Sequence, residues 1–202
     1  MEKHIPVSKP GENEKERNVA SQENRIAKSR PVLYWAIDAE MHSIRALYEH
    51  PCIKTFIEST TMTIKRQNDL QVTIIFINGV PTAITDEETK ILQHASASNM
   101  VIPLQLEFLV IDERCAAIDV SILNPALRSL VRNKHPHMTF GLATCYKARN
   151  IIMLQGQFIS QMIGRCVGDP PAKWHIRPYD KSPPKRFELE GLIVNGYVRA
   201  HY

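Results

Sequence analysis

Two tripeptides carry the side chains whose types and spacing suit phosphate chemistry: Q-V-T at 71–73 and H-M-T at 137–139. In a β-strand, residues i and i+2 point to the same side, so Gln71 and Thr73 share one face, as do His137 and Thr139. An imidazole transfers protons near neutral pH, and a hydroxyl hydrogen-bonds a phosphate oxygen. The spacing therefore predicts a phosphate site in which His137 is the proton-transfer group.

The surrounding sequence predicts the strands and helices that would position these side chains. Apolar runs or alternation predict strands over 32–37, 70–77, 102–110 and 117–122. Asp38 is predicted to cap a helix that follows it with apolar residues at helical spacing. A capping box at 85–88 and an apolar stripe over 147–163 predict two further helices, with Gly164 as the C-cap of the last. The dipeptide at 195–196 is Asn-Gly, which predicts a closing hairpin between 187–194 and 197–201. Interleaved strands, helices and hairpins indicate an α+β fold.

The composition indicates one globular domain preceded by a tail. Residues 1–30 are polar, without apolar periodicity, and are predicted to be disordered, whereas 31–202 form the domain. No apolar run is long enough for a membrane span, and no signal peptide is recognisable. The four cysteines form no C-x-x-C pair, which argues against a zinc site of that kind. Reduced thiols without a secretory signal indicate a cytoplasmic or nuclear location.

The chain resembles the 2H phosphoesterase superfamily over roughly 32–200. The stretch around His137 is similar to the second signature of that superfamily, and Gln71 stands where its first His-x-Thr begins. The overall likeness is greatest to the cyclic phosphodiesterase-like C-terminal module of plant-type and protozoal tRNA ligases. The other stretches that carry it are Y-W-A-I-D at 34–38, V-I-P-L-Q-L at 101–106, D-E-R-C-A-A at 112–117, K-A-R-N at 147–150 and E-G-L at 190–192.

The resemblance implies a bilobal fold, with two pseudo-symmetric antiparallel-sheet and helix lobes around a cleft. In that family two His-x-Thr/Ser strands face each other, and the two histidines act as general base and general acid on a phosphodiester or a 2′,3′-cyclic phosphate, without a metal or cofactor. Carried over residue by residue, His137 is one acid/base, and Thr139 and Thr73 are ligands of phosphate oxygens. Gln71 occupies the place of the second histidine.

Gln71 is the departure from the family pattern that bears most on function. An amide donates and accepts hydrogen bonds but does not exchange protons near pH 7, and a general acid or base contributes about 10²–10⁴-fold to a rate. The sequence nominates four histidines as replacements, namely His94, His135, His42 and His175. Sequence alone places none of them in the cleft, and His94 and His135 are interpreted as a helix end and a loop residue.

Three functions follow from these observations. The first is a catalytically degenerate domain that binds RNA ends carrying a 2′,3′-cyclic phosphate or a phosphate. The second is an active metal-independent cyclic phosphodiesterase of RNA repair or processing, in which another group replaces the first histidine. The third is a protein-interaction scaffold without a nucleic-acid role, which the long tail at 1–30 favours. Under any of the three functions, this tail is a candidate segment for tethering the domain to a protein partner. No membrane association is expected.

Overall fold

Strands and helices alternate along the chain and confirm the predicted α+β class. The computed structural model describes residues 31–59, 64–66, 69–77, 83–112, 115–143, 152–169 and 184–202. The strands are β1 (Tyr34–Ala39), β2 (Ile64–Arg66), β3 (Gln71–Phe76), β4 (Val101–Ile111), β5 (Cys115–Ile122), β6 (His137–Ala143) and β7 (Lys185–His201). The helices are α1 (Met41–Glu49), α2 (Pro51–Ser59), α3 (Asp86–Ala97), α4 (Pro125–Leu130) and α5 (Ile152–Val167). The predicted tail at 1–30 lies outside the described residues.

The described strands form one antiparallel sheet that closes on itself. Its order is β2-β6-β3-β1-β7-β4-β5, and β6 also pairs with β5. Six strands, β6-β3-β1-β7-β4-β5, therefore make a closed antiparallel barrel, a closure that leaves no free strand edge in the ring. A division of the chain into two lobes stays a prediction.

Two apolar clusters pack on the two faces of this sheet. The main core joins one face of the strands to α1–α4, and Val72, Met138 and Phe140 belong to it. The second core lies between β4, β5 and α5, and consists of Phe108, Val110, Cys115, Ala117, Ile159, Met162 and Ile163. A register shift between Leu106 and Phe108 changes the face to which β4 side chains point, so one strand contributes to both clusters.

Local signals placed several elements correctly. Thr85 and Glu88 form the predicted capping box of α3, in which the Thr85 hydroxyl accepts from the Glu88 amide and the Glu88 carboxylate accepts from the Thr85 amide at 2.8 Å. The helix after β1 stops at Glu49 and restarts at Pro51. The predicted capping role of Asp38 is wrong, because Asp38 lies within β1 and the N-cap of α1 is Glu40.

The predicted closing hairpin at 195–196 is wrong. β7 runs without a turn over Lys185–His201, pairing with β4 over 185–197 and with β1 over 196–201. Gly196 allows the backbones of β7 and β1 to approach closely, since a Cβ built on it would lie 2.7 Å from the Asp38 carbonyl oxygen. Tertiary pairing on both sides of the strand therefore overrides the local turn signal.

The predicted C-cap at Gly164 is also wrong. α5 continues to Val167, and the residue that follows is Gly168, whose φ of +84° lies in the left-handed region favoured by glycine. The predicted beginning of this helix, at 147, lies outside the described residues. Gly164 instead sits inside the helix, where a Cβ would lie 3.0 Å from Asp169 Oδ2 and 3.3 Å from His135 Nε2.

Replacement of Gly196 by alanine tests the close packing of β1 against β7. Gly196→Ala places a methyl group against the Asp38 carbonyl and the Ile37 side chain, so the free energy of unfolding should fall by about 1–3 kcal/mol. Urea unfolding measures the change. Ile193→Ala on the same strand is the control, because Ile193 is 57% exposed and its loss should change stability by less than about 0.5 kcal/mol. Equal stability of Gly196→Ala and the wild type would contradict this account of the glycine.

Candidate functional site

The two tripeptides lie side by side on neighbouring antiparallel strands. Val72 of β3 pairs with Met138 of β6, and both side chains are fully buried in the main core. Because side chains alternate along a strand, the first and third residues of each tripeptide point to the opposite face. These four side chains are half-buried: Gln71, Thr73, His137 and Thr139. Pairing of Thr139 with Ala117 of the second core identifies this as the face on which α5 packs. We call it the site face.

A local twofold axis relates the two tripeptides. Any antiparallel pair has such an axis, and here it passes between Val72 and Met138. Rotation about it brings Gln71 onto the position of His137 and Thr73 onto that of Thr139. The glutamine therefore occupies the position equivalent to the histidine, and no shift of register separates the two.

One ring nitrogen of His137 is committed to the backbone. Nδ1 lies 2.8 Å from the carbonyl oxygen of His135, and a carbonyl only accepts, so Nδ1 carries the hydrogen. In the neutral ring this leaves a lone pair on Nε2. Burial lowers the pKa of His137 below its ordinary value, which keeps the ring neutral at pH 7. A neutral imidazole with a fixed tautomer is suited to accept a proton.

A short chain of contacts holds the loop that precedes β6. The ring of His135 lies 2.8 Å, Nε2 to Oδ2, from Asp169, which follows α5 and also pairs with Lys134. Hydrogen bonds from Lys134 and His135 lower the pKa of Asp169, so it is a carboxylate near neutral pH. Since the carbonyl of His135 orients His137, the end of α5 supports the ring indirectly. The absence of a side chain on Gly164 leaves the room for this pair.

Asp119 is the acidic neighbour of His137 on the site face. The two residues are cross-strand partners on β5 and β6. Burial, together with nearby Glu107, raises the pKa of Asp119 to about 6 against the opposing effect of His135 and Arg186. The carboxyl group thus titrates close to physiological pH, which is unusual for an aspartate.

The Gln71 end of the site carries a polar and aromatic cluster. Gln71 Nε2 donates to Tyr34 Oη at 3.1 Å, and the ring of Tyr34 stacks on that of His201, with centroids 4.5 Å apart and planes 3° from parallel. His201 Nε2 lies 3.0 Å from Asp38 Oδ1. A pocket of about 370 Å³ is lined by these four residues together with Ala39, Asp69 and Leu70.

The histidines nominated from the sequence as replacements do not lie in this pocket. His94 is in the last turn of α3 and His42 is on α1, and both are exposed. His135 precedes β6 and pairs with Asp169, as its interpretation as a loop residue implied. His175 lies outside the described residues. The histidine beside Gln71 is His201. The sequence pattern that indicates its position is the alternation of Tyr197, Arg199 and His201 along one strand, and the predicted hairpin obscured that pattern.

Within the described part of the chain there is neither a cluster of metal ligands nor a membrane-spanning helix. No group of three or more histidine, cysteine, aspartate or glutamate side chains could hold a metal ion. None of the described helices is both long enough and apolar enough to cross a membrane.

The raised pKa of Asp119 predicts a pH-dependent stability change. The folded state binds this proton more tightly than the unfolded chain, so its contribution to stability is complete below about pH 4 and is lost as the pH rises through about 6. Asp119→Asn removes the ionisation and should raise the free energy of unfolding at pH 7.5 by about 1 kcal/mol, after allowance for partial exposure. Urea unfolding at pH 7.5 and 3.0 measures it.

At pH 3.0 the variant and the wild type should have nearly equal stability, because the carboxyl is then protonated in both the folded and the unfolded state. The control is Asp86→Asn, an exposed residue in the first turn of α3. A loss of stability in Asp119→Asn at pH 7.5 would show that the carboxylate makes a favourable contact that outweighs its burial.

Comparison with known proteins shows the fold and no family. No protein-family model and no curated protein matches the sequence. Among solved structures, the fold is similar to that of a fungal RNA kinase, with a TM-score of 0.52 and 15% sequence identity. The similar region covers 86% of this chain and 46% of that one, so this chain spans less than half the length of that structure. At this identity the likeness establishes a shared fold.

Proposed function

We propose that this chain binds RNA ends carrying a 2′,3′-cyclic phosphate or a phosphate, through a 2H-like site with weakened catalysis. The observation that carries the proposal is the Val72–Met138 pair, which sets the two tripeptides about a local twofold axis. In this proposal the two halves of the chain correspond to the two lobes of a 2H phosphoesterase. A solved structure that shares the fold is named as an RNA kinase, which favours RNA as the ligand.

In this proposal, the side chains on the site face have different roles toward the phosphate. Thr73 and Thr139 are related by the twofold axis, so their hydroxyls would donate to two non-bridging oxygens of one phosphate. The free Nε2 of neutral His137 would take a proton from an attacking water. Gln71 is held by Tyr34 and would donate a hydrogen bond without exchanging a proton.

Slow hydrolysis is expected because one of the two proton-transfer positions is occupied by an amide. Loss of one general acid or base lowers a rate by about 10²–10⁴-fold. Binding needs no proton transfer, so affinity for the RNA end should survive. Full activity as a cyclic phosphodiesterase is the second candidate function, and the observation in its favour is the histidine at the Gln71 end, His201.

Hydrolysis of an RNA oligonucleotide with a 2′,3′-cyclic phosphate, in excess EDTA, tests the proposal. The wild type should bind the oligonucleotide and hydrolyse it slowly, His137→Ala should abolish turnover, and Thr139→Ala should weaken binding about tenfold, the cost of one hydrogen bond to a charged group. His94→Ala is the control, because that histidine is exposed on α3. Absence of binding would remove the proposal and leave the scaffold function.

Restoring the family pattern gives a sharper test. Gln71→His should raise the rate of hydrolysis by up to about 10²–10⁴-fold, since it supplies the second proton-transfer group. The matched control is Gln105→His on β4, a strand that does not pair with β3 or β6. No gain in Gln71→His, with oligonucleotide binding intact, would favour the second candidate function, in which His201 already supplies the second proton-transfer group.

A further inference from the structure

We propose that His201, held by Asp38, is the second proton-transfer group of this site, in place of the histidine that Gln71 replaces. The inference rests on the proposed function, because it assigns a role to a residue beside the proposed phosphate site. Three observations carry it: the hydrogen bond between His201 and Asp38, the stacking of His201 on Tyr34, and the shared pocket with Gln71.

The contacts of His201 fix its ring in one orientation. Asp38 Oδ1 lies 3.0 Å from Nε2, which leaves Nδ1 as the nitrogen available to a ligand. A carboxylate in this position orients an imidazole and stabilises the imidazolium formed during proton transfer. The parallel Tyr34 ring, 4.5 Å away, prevents the imidazole from turning out of the pocket. The ring is therefore a fixed donor, which a solvent-exposed histidine is not.

The register of the strands brings this ring toward Gln71. His201 pairs with Tyr34, and Asp38 pairs with Gln71 on one side and with Tyr197 on the other. Although Asp38 lies opposite Tyr197, it is His201 that reaches its carboxylate. The side chain of His201 thus runs along the strands and ends at the Asp38 carboxylate, in the row of the sheet in which Asp38 pairs with Gln71.

The distance between this row and His137 suits a phosphodiester. β1 and β6 lie on opposite sides of β3, about 10 Å apart, and His137 lies opposite Thr73, two residues or about 7 Å along the strand from the row of Gln71. The position of Asp38 in that row is therefore about 12 Å from that of His137. In-line hydrolysis aligns a base, an attacking water, a leaving oxygen and an acid. This row contains two hydrogen bonds of about 2.8 Å and reacting atoms about 3–3.5 Å apart, so its total length is also on the order of 10 Å. A phosphorus atom above Thr73 and Thr139 would then lie between the two histidines.

The step is a balanced hydrolysis. The oxygen of water bonds to phosphorus as the bond from phosphorus to one ribose oxygen of the cyclic phosphate breaks. Nε2 of His137 takes a proton from the water, and the protonated ring of His201 gives one to the leaving ribose oxygen. Proton exchange with solvent then resets both rings. Asp38, Asp69 and Tyr34 are the titratable groups that line the pocket with His201.

Single-turnover hydrolysis of the cyclic-phosphate oligonucleotide tests the inference. In the wild-type background, His201→Gln should lower the rate constant about 10²-fold and remove the limb of the pH profile that reports the acid, while Kd for the oligonucleotide changes less than about threefold. Asp38→Asn, which keeps the shape of the side chain, should give a smaller loss with the same change of profile. His94→Gln is the control and should leave the rate unchanged.

A second background separates proton transfer from a structural role. In Gln71→His, the restored histidine supplies the proton, so adding His201→Gln should cost less than about threefold in rate. An equal loss in both backgrounds would show that His201 only supports the fold and would overturn the inference. An unchanged rate in His201→Gln, or a wild type that binds the oligonucleotide without any turnover, would also overturn it while leaving the proposed binding function intact. Failure of the wild type to bind the oligonucleotide would remove both.

Discussion

The arrangement of the candidate site depends on one cross-strand contact, the pairing of Val72 with Met138. Both side chains are completely buried, and a shift of either strand by one residue would exchange the apolar face for the polar one. Burial in the main core therefore determines which face receives Gln71, Thr73, His137 and Thr139. The same contact generates the twofold relation between the tripeptides, so packing and candidate chemistry have a common origin.

The two ends of the site differ in environment. At the His137 end, burial and the carbonyl of His135 give a neutral ring with a fixed tautomer. At the Gln71 end, a carboxylate and an aromatic ring hold His201 beside a pocket. Two histidines in unlike environments are suited to opposite directions of proton transfer, as acid and base assignments generally follow from environment. The pseudo-symmetry of the backbone is thus not matched by symmetry in the side chains.

Local signals in the sequence were sufficient where one segment carries all the information. The capping box at Thr85 and the alternation around Val72 are of this kind, and both appear as predicted. The Asn-Gly dipeptide at 195–196 failed as a hairpin signal because β7 is paired on both sides, and those partners, β1 and β4, are distant in sequence. Gly164 does not end the helix as predicted. Its lack of a side chain instead leaves room for the contact of His135 with Asp169.

The sequence by itself determined the α+β class and the two tripeptides, together with the face that their outer residues share, because these depend on periods of two and 3.6 residues. It also located the amide at 71, which departs from the His-x-Thr pattern that the chain resembles. Only the tertiary structure decided that the strands close into one barrel, that Asp119 lies opposite His137, and that His201 reaches Asp38 beside Gln71. Those three facts depend on pairings between residues far apart in the chain, and strand register across such distances is set by burial of the whole core, which no local pattern encodes.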